Sequence, residues 1–222
     1  MITLHYLNDS RAHRILWMLE EIKAPYEVKE WSRNLKTNLA PREFKQVHPL
    51  GKFPVIEDGD LTLAESGAIV HYLAERYGEG MVPEDPATRA QYHYWMHYAE
   101  GSLMPPLLMA YVFQMVSRKA PWPVRPLAMV GPNAISKAYL NPNIRTHMTY
   151  VNEHLADHEY FVGDEFSGAD IQMSFPLEAS AGRVDGDYEH VLSYVRRMQA
   201  RPAYQRALGA VQTPYVYVAT VG

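Results

Sequence analysis

Phe53-Pro54 and Glu65-Ser66 bracket the most explicit stretch of this chain, HPLGKFPVIEDGDLTLAES over residues 48–66. Their residue types suit the holding of a small acidic peptide. Pro54 cannot donate to a sheet ladder, so it belongs at the very start of a strand. A proline there favours a fixed turn with a cis bond, which would leave the Phe53 N–H and C=O pointing outward to pair with an extended peptide. Glu65-Ser66 opens a helical pattern, and the free N–H groups and dipole at a helix N-terminus favour a carboxylate. The same residues also read as a plain hairpin followed by an ordinary helix cap.

The elements that must position these residues follow from local patterns. Val55-Ile56, an Asp58-Gly59 turn and Leu61 to Leu63 read as a β-hairpin, and the helix after it runs to Tyr77. Upstream, residues 2–7 read as a strand and Asn8-Asp9-Ser10 as three capping types in a row. Arg11 to Ile22 follows as a helix with Ala12, Ile15, Leu16, Leu19 and Ile22 on one face. Pro25 ends it, Tyr26 to Trp31 alternates as a second strand, and Pro41-Arg42-Glu43 starts one helical turn. The order β-α-β-α-β-β-α predicts a four-stranded sheet with helices on its faces.

GEGMVPEDP, residues 78–86, is the natural linker, dividing residues 1–78 from an all-helical 87–222. The long helical pattern from Ala87 to about Val116 must be kinked or interrupted by Pro105-Pro106. Ser167 and Asp170, in FSGAD, form a capping-box variant, with Phe166 able to staple onto Ile171; Asp170 reads as structural, worth about 1 kcal/mol or more. The tail Tyr215-Val216-Tyr217-Val218 is apolar and has no obvious partner.

Composition removes several classes of chemistry. Cysteine is absent, which excludes disulfides, a thiol nucleophile and thiolate metal sites. The ten histidines show no HExxH spacing, so no metal site is expected. A net charge of −4 with interspersed signs carries no basic run of nucleic-acid type. No stretch reaches the roughly 20 apolar residues of a membrane span. The opening MITLHY lacks the basic and apolar regions of a secretory leader, and a cytoplasmic location is expected.

Taken in order, the N-terminal unit, the GKFP turn, the ES pair, the linker, the helical second half and the SGAD box resemble a glutathione S-transferase, from about Thr3 to Leu208. YAEGSLMPPL and FSGADIQMSFPL further resemble a microbial branch of that family typified by a yeast membrane-associated transferase. The resemblance implies an α/β thioredoxin-like N-terminal domain followed by an all-α helical bundle domain, as a homodimer. It implies that the Phe53 main chain, before Pro54, pairs with the cysteinyl part of glutathione. Glu65 and Ser66 hold the γ-glutamyl group, and Lys52 approaches the glycyl carboxylate, helped by Arg33 or Lys36. Glu100 falls where the family places an acid that reaches the γ-glutamyl amine from the partner subunit; it equally reads as a solvated charge or a helix–helix salt bridge.

The family activates the thiol with a residue near the end of the first strand or start of the first helix. Ser10 matches the serine of the Ser-type classes and also reads as a helix cap; Tyr6 and Asn8 are the alternatives. Lowering a thiol pKa of about 8.5 by about 2 units takes about 2.7 kcal/mol. A hydrogen bond to a charged acceptor supplies about 1.5–3 kcal/mol and the helix terminus about 0.3–1. Met104, Leu107, Leu108, Tyr111 and Trp122 are offered as the apolar wall for a small hydrophobic electrophile, with the aromatic tail folding over it, although each also reads as bundle core. A glutathione-dependent peroxidase or disulfide reductase, or a non-catalytic glutathione- or ligand-binding protein of the same fold, are the alternative functions.

Overall fold

The computed structural model describes residues 1–34, 37, 39–119, 121–181, 184, 186–213 and 215–217. Four strands, β1 (Ile2–Leu7), β2 (Tyr26–Trp31), β3 (Val55–Asp58) and β4 (Leu61–Ala64), form one sheet in the order β2-β1-β3-β4. β1 runs parallel to β2 with Leu4 opposite Val28, and antiparallel to β3 with Leu4 opposite Ile56. The parallel pair requires a crossover, and helix α1 (Ala12–Ile22) supplies it. His5 ties the three strands across their width. Its ring accepts from Trp31 Nε1 at 3.1 Å and meets Glu57 at 3.1 Å on the other side.

α1 differs from the amphipathic helix expected. Every residue from Ala12 to Leu19 is buried, including His13, Arg14 and Trp17. The sheet covers one side and the helical half of the chain covers the other, so polar positions of the stripe also lie inside. Ser10 caps its start, its Oγ accepting from Ala12 N–H at 3.1 Å and donating to Leu7 O at 2.6 Å. Lys23, left-handed at φ 53°, ends it, and Pro25 follows.

The single helical turn expected after Pro41 is a 3₁₀ segment, Arg42–Gln46. Beyond α2 (Ser66–Tyr77) come α3 (Pro86–Tyr98), α4 (Met104–Lys119), α5 (Arg125–Ala128) and α6 (Val130–Ile135), then α7 (Asn141–Asp157), α8 (Gly168–Ser180), α9 (Glu189–Gln199) and α10 (Pro202–Gly209). The interruption demanded by Pro105-Pro106 is met by a π-helical turn, Ala99–Leu103, which lets α3 run into α4 and displays Glu100. Such wide turns recur at functional sites.

The halves are fastened through α1. Trp17 packs on Phe166 with ring centroids 5.6 Å apart. The Arg201 guanidinium lies 3.9 Å from the centre of the Phe166 ring and pairs with Glu21 at 2.6 Å. The FSGAD capping box is present: Asp170 Oδ2 accepts from Ser167 N–H at 2.8 Å, and Ser167 Oγ accepts from Ala169 N–H at 3.3 Å. Gly168 is required there, because a Cβ would lie 2.7 Å from Tyr92 Oη.

Candidate functional site

Strand register brings the two ends of the opening stretch together. Val55 lies opposite Ala64, so the residues flanking that pair, Phe53-Pro54 and Glu65-Ser66, meet at one edge of the sheet. The Asp58-Gly59 turn is displaced by one residue from its expected place. Asp58 still pairs with Leu61, and the two loop residues are Gly59 and Asp60, with Gly59 at φ +60°. The first position of a two-residue hairpin loop needs positive φ, and glycine takes it without a Cβ clash. Asp58 is instead used as an anchor, accepting from Tyr77 Oη at 2.6 Å and Tyr72 Oη at 2.7 Å; these two bonds hold its carboxyl below the usual range and pin the hairpin to α2.

The Phe53–Pro54 bond is cis. Ser66 is the first residue of α2 and is 4% exposed, so the first N–H groups of that helix face the same edge as Pro54. Glu65 stands at φ 69° and ψ 111°, a conformation that costs a side-chain-bearing residue about 1–3 kcal/mol. Strain of that size persists where the surroundings enforce it, and here it turns the Glu65 carboxylate outward beside the helix start.

Around these residues lies a small open cleft lined by Lys52, Phe53, Pro54, Glu65 and Ser66, together with Arg11, His48, Leu50 and Ala64. Arg11 and His48 are the functional candidates that sequence reasoning missed. His48 Nδ1 is shut from solvent with no hydrogen-bond partner among the described residues. The signal for His48 is its place at the head of the stretch. Arg11 carries no such signal, because its position in the sequence is only that of the first residue of a helix.

Arg11 is held in place from two sides. Its Nε donates to both Glu100 carboxylate oxygens, at 2.9 and 3.0 Å, and its guanidinium lies 5.0 Å from the Phe175 ring centre. Arg14, 2% exposed, binds the same carboxylate and donates to Gln172 O at 2.5 Å. Desolvation raises the Glu100 carboxyl, but Arg14 and Arg11 outweigh it and keep the group below its usual range. Within this chain Glu100 makes a helix–helix salt bridge with Arg11 and Arg14.

The three thiol-activating candidates sit differently. Tyr6 is 1% exposed with an unpartnered hydroxyl, and burial, with Asp9 and Glu30 nearby, pushes that hydroxyl far above its usual range. Asn8 is half-buried and donates to Asp9 at a long 3.4 Å. Ser10 is half-buried at the start of α1. Arg33 braces this loop, donating to Asn8 O at 3.1 Å and Asp9 O at 3.0 Å, and does not line the cleft; Lys36 lies outside the described residues.

The five residues offered as an apolar wall differ in exposure. Met104 and Leu107 belong to the core, while Leu108, Tyr111 and Trp122 are 48%, 51% and 86% exposed. Among the described residues no helix is long and apolar enough to cross a membrane.

Comparison with known proteins gives one answer along the chain. Residues 1–75 match the family model for the glutathione S-transferase N-terminal domain, and residues 103–202 match that for the C-terminal domain. Glutathione S-transferase 3 of Schizosaccharomyces pombe is 37% identical over 96% of this chain and 88% of its own. The crystal structure of a glutathione S-transferase from Actinobacillus pleuropneumoniae superposes with a TM-score of 0.80 at 32% identity, covering 100% of this chain and 97% of that one. A theta-class enzyme from Xanthomonas axonopodis pv. citri, solved with glutathione bound, gives 0.74 at 26% identity over 96% and 98% of the two chains.

Proposed function

The chain belongs to the glutathione S-transferase family, and from that premise we propose that it binds glutathione between Phe53 and Ser66 and lowers its thiol pKa for attack on small apolar electrophiles. The observation that carries this reading is the convergence of the Phe53–Pro54 edge, the first turn of α2 and the Arg11 guanidinium on one cleft. The γ-glutamyl carboxylate takes the Ser66 hydroxyl and α2 N-terminus, with Arg11 supplying the counter-charge and Glu65 receiving the amine. The Phe53 main chain pairs with the cysteinyl residue, and Lys52 and His48 face the glycyl end. Glu100 acts through Arg11, which it orients. The homodimer implied by the resemblance belongs to the same proposal.

Ser10 is the group proposed to hold the sulfur. Its proton is engaged with Leu7 O, so binding a thiolate exchanges one bond for another. A charged acceptor is worth about 1.5–3 kcal/mol and a neutral carbonyl about 0.5–1.5, leaving a net gain of about 1–1.5. With about 0.3–1 kcal/mol from the α1 terminus, the thiol pKa falls by about 1–2 units. The thiolate then gives its electron pair to the electrophilic carbon. The C–S bond forms as the leaving group departs with its own pair.

Calorimetric titration with glutathione tests the binding half. Ser66→Ala should weaken Kd by about 10–100-fold, the loss of a hydrogen bond to a charged group. An unchanged Kd would remove Ser66 from the site. Glu65→Gly separates strain from function: relief of the positive φ should raise the melting temperature by a few degrees, about 1 kcal/mol after the entropy cost of glycine, while glutathione binds more weakly. A fall in both would mean that Glu65 is held there for stability.

A further inference from the structure

Pro176 lies in the interior of α8 and is buried. A proline inside a helix removes the N–H that would bond to the carbonyl four residues earlier, and its ring presses on that carbonyl. The residue four earlier is Gln172, which is 1% exposed. A buried carbonyl needs a donor from somewhere. Here the donor comes from another helix: Arg14 Nη1, on α1, bonds to Gln172 O at 2.5 Å. Proline is the least favourable residue for a helix interior, and the bond to Arg14 is what its presence makes room for.

Arg14 links that carbonyl to the cleft. Its side chain is 1% exposed, so its donors must be met inside the protein. Nη2 binds Glu100, and the same carboxylate accepts from Arg11 Nε at 2.9 and 3.0 Å. Arg11 in turn lines the cleft with Ser66. Arg14 Nε has no hydrogen-bond partner among the described residues, so loss of the Gln172 bond would leave Arg14 anchored on Glu100 alone. The Gln172 side chain also abuts the first turn of α2, where a Cβ on Gly67 would stand 3.2 Å from its Nε2. One residue of α8 therefore braces the helix start at Ser66 and, through its carbonyl, the arginine that supports Arg11.

Resting on the glutathione reading above, we propose that Pro176 is a positioning residue for recognition of the γ-glutamyl carboxylate. By withholding an N–H it frees Gln172 O to hold Arg14, and the chain Arg14–Glu100–Arg11 then sets Arg11 beside the first turn of α2. An N–H at position 176 competes for Gln172 O. Arg14 loses one of its two anchors, and the carboxylate that orients Arg11 shifts with it.

The test is calorimetric titration of the full chain with two ligands. One is glutathione. The other is 4-aminobutanoyl-cysteinyl-glycine, which keeps the amine, the thiol and the glycyl carboxylate and lacks only the γ-glutamyl carboxylate. The parent should prefer glutathione by at least about tenfold, the worth of a carboxylate met by a guanidinium and a helix N-terminus. In Pro176→Ala the glutathione Kd should rise about 3–10-fold while that of the analogue stays within about 1.5-fold, so the preference shrinks. Arg14→Met should shrink it too, and adding Pro176→Ala to Arg14→Met should change nothing further, because both act through one bond. Pro176→Val restores the N–H at nearly the volume of the ring and keeps the test open should Pro176→Ala fold poorly. A full preference for glutathione in either folded Pro176 variant overturns the proposal. So does a parallel loss of both ligands, which marks general loosening of the core, or a further loss when Pro176→Ala is added to Arg14→Met. A parent chain that binds neither ligand, or binds both equally, would instead overturn the glutathione reading on which the proposal rests.

Discussion

Asp170→Ala should lower the melting temperature by about 10 °C, a larger stability effect than any other single substitution proposed for this chain. The carboxylate is 0% exposed and accepts from Phe161 N–H at 3.0 Å, Ser167 N–H at 2.8 Å, Ser167 Oγ at 3.1 Å and Tyr194 Oη at 2.7 Å. Burial pushes its carboxyl up, and the four donors work against that push. Alanine leaves these donors without their acceptor, at about 1–3 kcal/mol for each buried group that cannot reach water. Partial relaxation brings the total to about 3–5 kcal/mol, well above the roughly 1 kcal/mol of a cap alone. Thermal unfolding by circular dichroism gives the answer. A shift of about 3 °C or less would mean that Asp170 does no more than cap its helix.

Glu100→Ala should come next, at about 3 kcal/mol and so about 6–12 °C, because it leaves the Arg14 guanidinium buried with its counter-charge removed. The Arg14 side chain is 1% exposed, against 31% for Glu100, so the arginine cannot turn to solvent when its partner goes. Glutathione should also bind several-fold more weakly, since Arg11 loses the carboxylate that orients it. A second substitution discriminates the cause. Arg14→Met added to Glu100→Ala should recover much of the lost stability, as replacing a whole buried pair by apolar groups is often neutral, yet leave glutathione binding weak. Full recovery of both would show that Arg11 needs no clamp.

The hairpin and the Glu65-Ser66 helix start were legible because each is written in a few adjacent residues: a glycine at a positive φ in the loop and a proline that cannot donate at the head of the strand. The interruption at Pro105-Pro106 was legible for the same reason, although its resolution as a π turn was not. Arg11 and Glu100 are 89 residues apart, and Tyr215, whose hydroxyl donates to Glu178, is 37 residues from it. Neither pair leaves a local mark, so Arg11 reads as a helix start and the tail as unpartnered. α1 misleads in the opposite way. Its apolar stripe is real, but a helix packed on all sides buries His13 and Arg14 as well.

The central claim is that this cleft holds glutathione with its sulfur beside Ser10 and ionises it. Ultraviolet absorbance of the thiolate, followed against pH on the glutathione-saturated protein and on Ser10→Ala, tests it most directly. The apparent thiol pKa should lie about 1–2 units below the free value in the parent and return most of the way in Ser10→Ala. A bound thiol that titrates like free glutathione, or a lowered pKa that survives Ser10→Ala and is lost in Tyr6→Phe, would contradict it.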